Sequence, residues 1–99
     1  MARFGLFANP DGAGYLLDVQ ADLFDYFDTR VIVPLLPAGT TPPPVKRLHP
    51  VFEIEGKRYV MATPLLAAVP ARILRQPVGN LGQHHDEIVA ALDMLFQGF

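Results

Sequence analysis

The chain has no cysteine and no tryptophan among its 99 residues. Without cysteine there can be no disulfide framework and no thiolate metal site. Charge is scarce as well. Only 18% of residues are Asp, Glu, Lys or Arg, the net charge is −2, and the 8 basic residues are scattered, with none after Arg75. Direct gripping of nucleic acid relies on clustered Lys and Arg, so it is not expected here. No apolar run approaches the roughly 20 residues of a membrane-crossing helix, and no glycine-rich phosphate loop or internal repeat is present. The opening Met1-Ala2-Arg3 leads into Phe4-Gly5-Leu6 and then Asn9-Pro10. That is not the pattern of a signal peptide. A cytoplasmic protein with no membrane contact, no cofactor and no metal is expected.

Apolar side chains, by contrast, are plentiful, at 51% of the sequence. One small domain spanning residues 1–99 buries only a modest fraction of its surface, so this excess predicts a homodimer. Its two-fold axis is expected near Val31 to Leu36 and the terminal helix.

All 10 prolines fall between Pro10 and Pro77, which makes long helices there unfavourable. The stretch from Gln83 to Phe99 is different. Ile88, Ala91, Leu92, Leu95 and Phe96 recur at helical spacing, and Val89 widens the stripe. Asn80 or Gly82 can cap its start, Asp86 and Glu87 suit the positive end of the dipole, and Gly98 suits a left-handed stop. Asp86, Ala90, Asp93 and Gln97 form the opposite, exposed face.

The remainder reads as strands and turns. Arg3 to Phe7 is a first strand and Asn9 to Gly14 a turn. Tyr15 to Gln20 is a second strand, with Tyr15, Leu17 and Val19 on one face and Leu16, Asp18 and Gln20 on the other. Arg30 to Leu36 is apolar on both faces, as for a strand covered twice, and Pro34 within it is expected at a bulge or an unpaired edge. Pro37 to Pro44 is a stiff loop. Val51 to Glu55 and Lys57 to Thr63 form a hairpin about Gly56. Thr63-Pro64 starts a short helical turn through Ala68, and Val69-Pro70 ends it. Ala71 to Gln76 is a further strand, and Pro77 to Asn80 turns into the helix. The fold expected is a small, mainly β domain, an antiparallel sheet curling toward a barrel, with one C-terminal helix packed on it.

Candidate chemistry is thin. Asp22-Leu23-Phe24-Asp25-Tyr26-Phe27-Asp28 spaces its acids by three and lacks the glycine of a calcium loop. Most of its apolar side chains are expected to pack on the sheet, with one or two left for a partner. His84 and His85 are adjacent and diverge on a helix, so they do not share a metal easily and are expected in solvent. Met61 and Met94 are packing residues. Asp18, Arg30 and His49 offer a ribonuclease-like trio, but such trios arise in any chain of this length. No catalytic residue is assigned, and the residues favour a binding protein over an enzyme.

Several segments carry a resemblance. Asp18-Val19-Gln20-Ala21-Asp22, Arg30-Val31-Ile32-Val33-Pro34-Leu35, Leu48-His49-Pro50-Val51, Ala68-Val69-Pro70 and the ending Met94-Leu95-Phe96-Gln97-Gly98-Phe99 look like the CcdB toxin family. Order and spacing agree along nearly all of the chain. The resemblance implies the toxin of a type II toxin–antitoxin pair, a homodimer that binds the A subunit of DNA gyrase and traps the enzyme on cleaved DNA. It also implies a CcdA-like antitoxin that neutralises the toxin and through which the pair represses its own operon, so that DNA is met only indirectly. The fold implied is the SH3-like barrel shared with the Kid and MazF ribonuclease toxins. Two alternatives follow: an endoribonuclease on that fold, or a chromosomal, non-toxic relative kept for antitoxin binding.

The family's gyrase-contacting apolar pair falls on Leu23 and Phe24. Its polar helix residue, Asn in the plasmid-borne member, falls on Asp93. Its terminal Trp-Gly-Ile falls on Gln97, Gly98 and Phe99. The tryptophan is therefore replaced. The antitoxin-binding residues are not identified by the resemblance.

Overall fold

The computed structural model describes residues 3–39 and 45–98. These contain 7 strands: β1 (Gly5–Ala8), β2 (Tyr15–Asp18), β3 (Thr29–Pro37), β4 (Val51–Ile54), β5 (Lys57–Met61), β6 (Ala67–Pro70) and β7 (Gly79–Asn80). One helix, α1 (His85–Gln97), follows. The sheet order is β4-β5-β3-β2-β1-β7, with β6 also paired to β3, and all pairings are antiparallel. The sheet curls into a half-barrel and α1 lies against it, as the sequence pattern leads one to expect.

β3 is the spine. One edge pairs with β2, while the other pairs first with β6, through Thr29 to Ile32, and then with β5, through Leu35 to Pro37. Pro34 lies in this central strand, opposite Leu16, and not at a sheet edge. Its carbonyl accepts from Ala62 N at 2.9 Å. Backbone N and C=O of one strand residue point to the same side, so the missing N–H falls where β3 changes partner.

Register explains why β3 is apolar on both faces. Leu6, Leu17 and Val33 are cross-strand neighbours on the face toward α1. They form the main core with Phe4, Val19, Leu35, Phe52, Met61, Leu81, Ile88 and Ala91. Phe7, Leu16 and Ile32 occupy the other face and make a second, smaller core with Leu74. The chain therefore covers both faces of β3 by itself.

Ala71 to Gln76 is thus not a strand. Ala71–Ile73 is a single 3₁₀ turn, and the segment continues irregularly so that Leu74 can plug the second core. The helical turn after Thr63 stops at Leu65, and Ala67–Pro70 extends to pair with β3. Gly79–Asn80, read from sequence as part of a turn, pairs with Gly5 and Leu6. The first strand starts two residues later than expected because Phe4 adopts a left-handed φ of 67°. That bend lets its N–H reach Asp18 O at 2.6 Å and its carbonyl receive Leu81 N at 2.9 Å. The second strand ends at Asp18.

The β4–β5 hairpin closes through Glu55 and Gly56, both with positive φ (52° and 78°), the pairing a two-residue I′ turn requires. In the turn before β2, Gly14 has φ +97°, and a Cβ there would sit 2.1 Å from Leu35 O. Only glycine allows so close an approach to β3.

α1 buries Ile88 and Ala91 completely and packs Val89 and Leu92 against the main core. Met61 is fully buried and Met94 half-buried. Phe96 departs from the expected stripe and is 70% exposed. The helix begins at His85, preceded by a 3₁₀ turn, Gly82–His84, and ends on Gly98 with φ 83°. Neither that turn, whose N-cap is Leu81, nor α1 has a side-chain cap; Asn80 instead braces the approach, its Oδ1 accepting from Gly82 N at 2.6 Å and its Nδ2 donating to Arg3 O at 3.1 Å. Asn80→Ala is expected to cost about 1 kcal/mol, the net worth of an exposed hydrogen bond or two. For a domain of this size that lowers Tm by about 4–8 °C. A melt unchanged within a degree would show that these bonds only decorate the turn.

Candidate functional site

The residues following β2 fold into a tight loop whose backbone is tied at several points. Asp22–Phe24 is a 3₁₀ turn. Arg3 N donates to Asp22 Oδ1 at 2.6 Å, and Ala71 N donates to Asp28 O at 2.7 Å. Gln20 bridges the loop to the sheet: its Nε2 donates to Phe24 O at 2.9 Å, while its Oε1 accepts from Val31 N at 3.0 Å.

The side chains of this pinned loop point outward. Leu23 is 76% and Tyr26 73% exposed, and Phe24 and Phe27 are also exposed. This corrects the expectation that most of them would pack on the sheet. The three aromatics pack instead on each other, with Phe24 and Phe27 ring centroids 5.5 Å apart and Tyr26 edge-on to Phe27 at 4.7 Å. A contiguous apolar patch on a fixed backbone is the usual form of an interaction surface.

Asp93 and Gln97 stand on the exposed face of α1, as expected. With Arg47, Asp86, Val89 and Ala90 they line a shallow, open hollow of about 430 Å³. Gly98 ends the helix, its N–H donating to Met94 O at 2.9 Å. Phe99 lies outside the described residues.

Two of the three residues of the ribonuclease-like trio do meet. Arg30 Nε and Nη2 donate to Asp18 Oδ2 at 2.9 and 2.6 Å, and both side chains are fully buried. His49 is held elsewhere, its Nδ1 accepting from Val45 N at 3.0 Å. A guanidinium and carboxylate sealed from solvent cannot touch RNA, so the pair is structural. Its role shows in the neighbours: Gln20 N donates to Asp18 Oδ1 at 3.1 Å, which fixes the same glutamine that holds the loop. Sequence reasoning missed Gln20 and Arg3. The available signal was Gln20 lying between Asp18 and the apolar loop.

His84 is less solvated than expected. It is half-buried against Phe52, with centroids 4.9 Å apart, and its Nδ1 lies 3.1 Å from Glu87 Oε1. His85 is exposed and meets the Phe4 ring edge-on at 5.6 Å. Among the described residues, no three His, Asp or Glu side chains gather as a metal site would require. Tyr15 packs edge-on against Tyr59 at 5.1 Å. Burial pushes its phenol above the ordinary range, with the Tyr59 hydroxyl and the Glu55 carboxylate adding to the shift. No described helix is long and apolar enough to cross a membrane.

Two features stand exposed, an aromatic loop on a fixed backbone and a polar helix face, and the buried Asp18–Arg30 pair helps to hold the loop. A family model described as CcdB protein matches residues 3–98, nearly the whole chain. The half-barrel with its C-terminal helix and the length of this match together place the chain in the CcdB family, the toxins of toxin–antitoxin pairs.

Proposed function

We propose that this toxin acts by binding the A subunit of DNA gyrase and trapping the enzyme on cleaved DNA, and that a CcdA-like antitoxin neutralises it. The observation that carries the reading is the exposed Leu23–Phe24 pair on a backbone held by Gln20, Arg3 and Ala71. These are the positions where the family resemblance puts gyrase contacts. Asp93, Gln97 and Gly98 are exposed as that role requires. The toxin is a binding protein, not an enzyme, and works in the cytoplasm, where gyrase is. The ribonuclease alternative is disfavoured, since its best candidates, Asp18 and Arg30, are buried in each other's company.

We also propose that the working form is a homodimer. Ile32, Val33 and Leu35 are buried within the chain's own cores, so strand apolarity alone no longer argues for a partner copy. What does argue for it is Phe96 on α1 and Leu65, 57% exposed, in the Thr63–Leu65 turn against which α1 packs.

The test is one preparation assayed three ways. Light scattering should give twice the 10.9 kDa chain mass. Gyrase with supercoiled plasmid should accumulate linear, protein-linked DNA when the toxin is added, and unstructured RNA should stay intact. Leu23→Glu should remove the trapping without lowering Tm. RNA degradation, or gyrase indifference with a neutralising antitoxin still bound, would replace this reading with one of its two alternatives.

A further inference from the structure

On the face of the sheet opposite α1, Leu74 is 3% exposed in the second core. With Ala71 N bonded to Asp28 O and Val78 N to Leu6 O, both at 2.7 Å, this fixes the segment 71–78. Arg72, Ile73 and Arg75 are left facing solvent. Across from them stand Pro10 and Asp11 of the turn after β1, and between the walls lies a groove of about 630 Å³. A second hollow of about 220 Å³ shares Phe7 and Arg75 with it and runs on toward Asn80. Neither guanidinium has a hydrogen bond or ion pair with a described residue.

The backbone beside the groove is also unfinished. Val78 N donates to Leu6 O, so Leu6 turns its polar groups away from β2. By alternation Ala8 does the same. β7 pairs only with Gly5 and Leu6, so Ala8 presents an open strand edge at the groove.

We propose that this groove binds an extended acidic peptide segment of a partner protein. The segment would add beside Ala8 as a short strand, place carboxylates on Arg72 and Arg75, and rest an apolar side chain on Ile73. Guanidinium forks match carboxylates, and open edges take extended peptides. A nucleic acid fits less well. The patch holds just two cations, Asp11 faces them, and the chain's net charge is −2. A peptide can instead donate an N–H to Asp11. The groove shares no residue with the surface proposed for gyrase and stands or falls independently of that reading.

The ¹⁵N-labelled full chain should be titrated with a short capped peptide alternating glutamate and valine. The expected result is a shift of the Ala8 amide and of the Arg72 and Arg75 Nε signals. The Arg72→Ala/Arg75→Ala variant, altered only at exposed positions, should keep its melting temperature. It should bind about tenfold or more weakly, as loss of charge-assisted hydrogen bonds implies. No shift up to millimolar peptide overturns the proposal, as does undiminished binding by the double variant. Equal binding of the lysine-for-glutamate peptide does so too, and so does equal binding of free glutarate, which would reduce the groove to an anion site. Tighter binding of a short uridine oligonucleotide than of the peptide would reassign it to nucleic acid.

Discussion

Arg30→Met is expected to destabilise the protein by about 3–5 kcal/mol, the cost of breaking a buried ion pair from one side. Asp18 and Arg30 are both fully buried, and Asp18 Oδ2 takes both of the guanidinium's short bonds. Methionine matches the length of the arginine stem but supplies no donor. Asp18 would keep one hydrogen bond, from Gln20 N at 3.1 Å, and its charge would have no counterpart. In a domain whose whole stability is about 5–15 kcal/mol, that is a large share. The effect should also reach the surface. Gln20 holds Phe24 O and Val31 N, and its carbonyl receives Arg30 Nη2 at 3.4 Å, so a shifted Gln20 loosens the apolar loop.

The companion variant separates the pair's contribution from the damage of orphaning one member. Replacing both residues by apolar ones of similar size, Asp18→Leu with Arg30→Met, should recover most of the loss, because such replacements of whole buried pairs are often neutral or better. One guanidinium nitrogen, Nη1, is already buried without a partner, which strengthens that expectation. The measurement is the urea midpoint of wild type, both single variants and the double. A loss below about 1 kcal/mol for Arg30→Met would mean that the pair is solvated in solution, against the burial described above. If the double variant is stable but no longer toxic, the pair serves the loop more than the core.

Much of this architecture can be read from local pattern. The α1 stripe, the left-handed Gly98, the Glu55-Gly56 hairpin and the alternation in Tyr15 to Asp18 are all set by neighbours within a few residues. What escaped was decided at long range. Ala71 to Gln76 has the composition of a strand, yet Leu74 is drawn into a second core made by Phe7, Leu16 and Ile32, more than 40 residues away in sequence. Pro34 reads as an edge residue, yet it is central, because β3 has two partners in succession on one side. Phe96 lies on the apolar stripe yet is 70% exposed, and periodicity carries no information about where a neighbour stops. The candidate surface divides the same way. Helical spacing alone puts Asp93 and Gln97 on the exposed face. The exposure of Tyr26 and Phe27 was not foreseeable, since it depends on Gln20, Arg3 and Ala71 holding the loop backbone away from the core.

Removing Gln97, Gly98 and Phe99 is expected to abolish toxicity on overexpression while leaving Tm within a few degrees. The helix is anchored upstream, by fully buried Ile88 and Ala91 and by Val89 and Leu92 against the main core. Downstream, Gln97 is exposed, and what Gly98 adds is one capping bond to Met94 O at 2.9 Å. Losing that bond costs about 1 kcal/mol. No basic side chain lies in the last turn to favour the negative end of the dipole, so the tail does little for the helix. Its sequence nevertheless ends in phenylalanine, where the family resemblance puts gyrase contacts and where the tryptophan two residues earlier has become Gln97. Aromatic anchors dominate many interfaces, and a chain without tryptophan must find one elsewhere. Antitoxin binding should largely survive the truncation. The control is Ile88→Ala, which opens a cavity under the helix at about 2–5 kcal/mol and so should lose stability first and toxicity only as a consequence. Full toxicity of the truncated protein would take the tail out of the proposed gyrase-binding surface and leave Leu23, Phe24 and Asp93 as its candidates. Unfolding of the truncated protein would make the tail part of the fold instead.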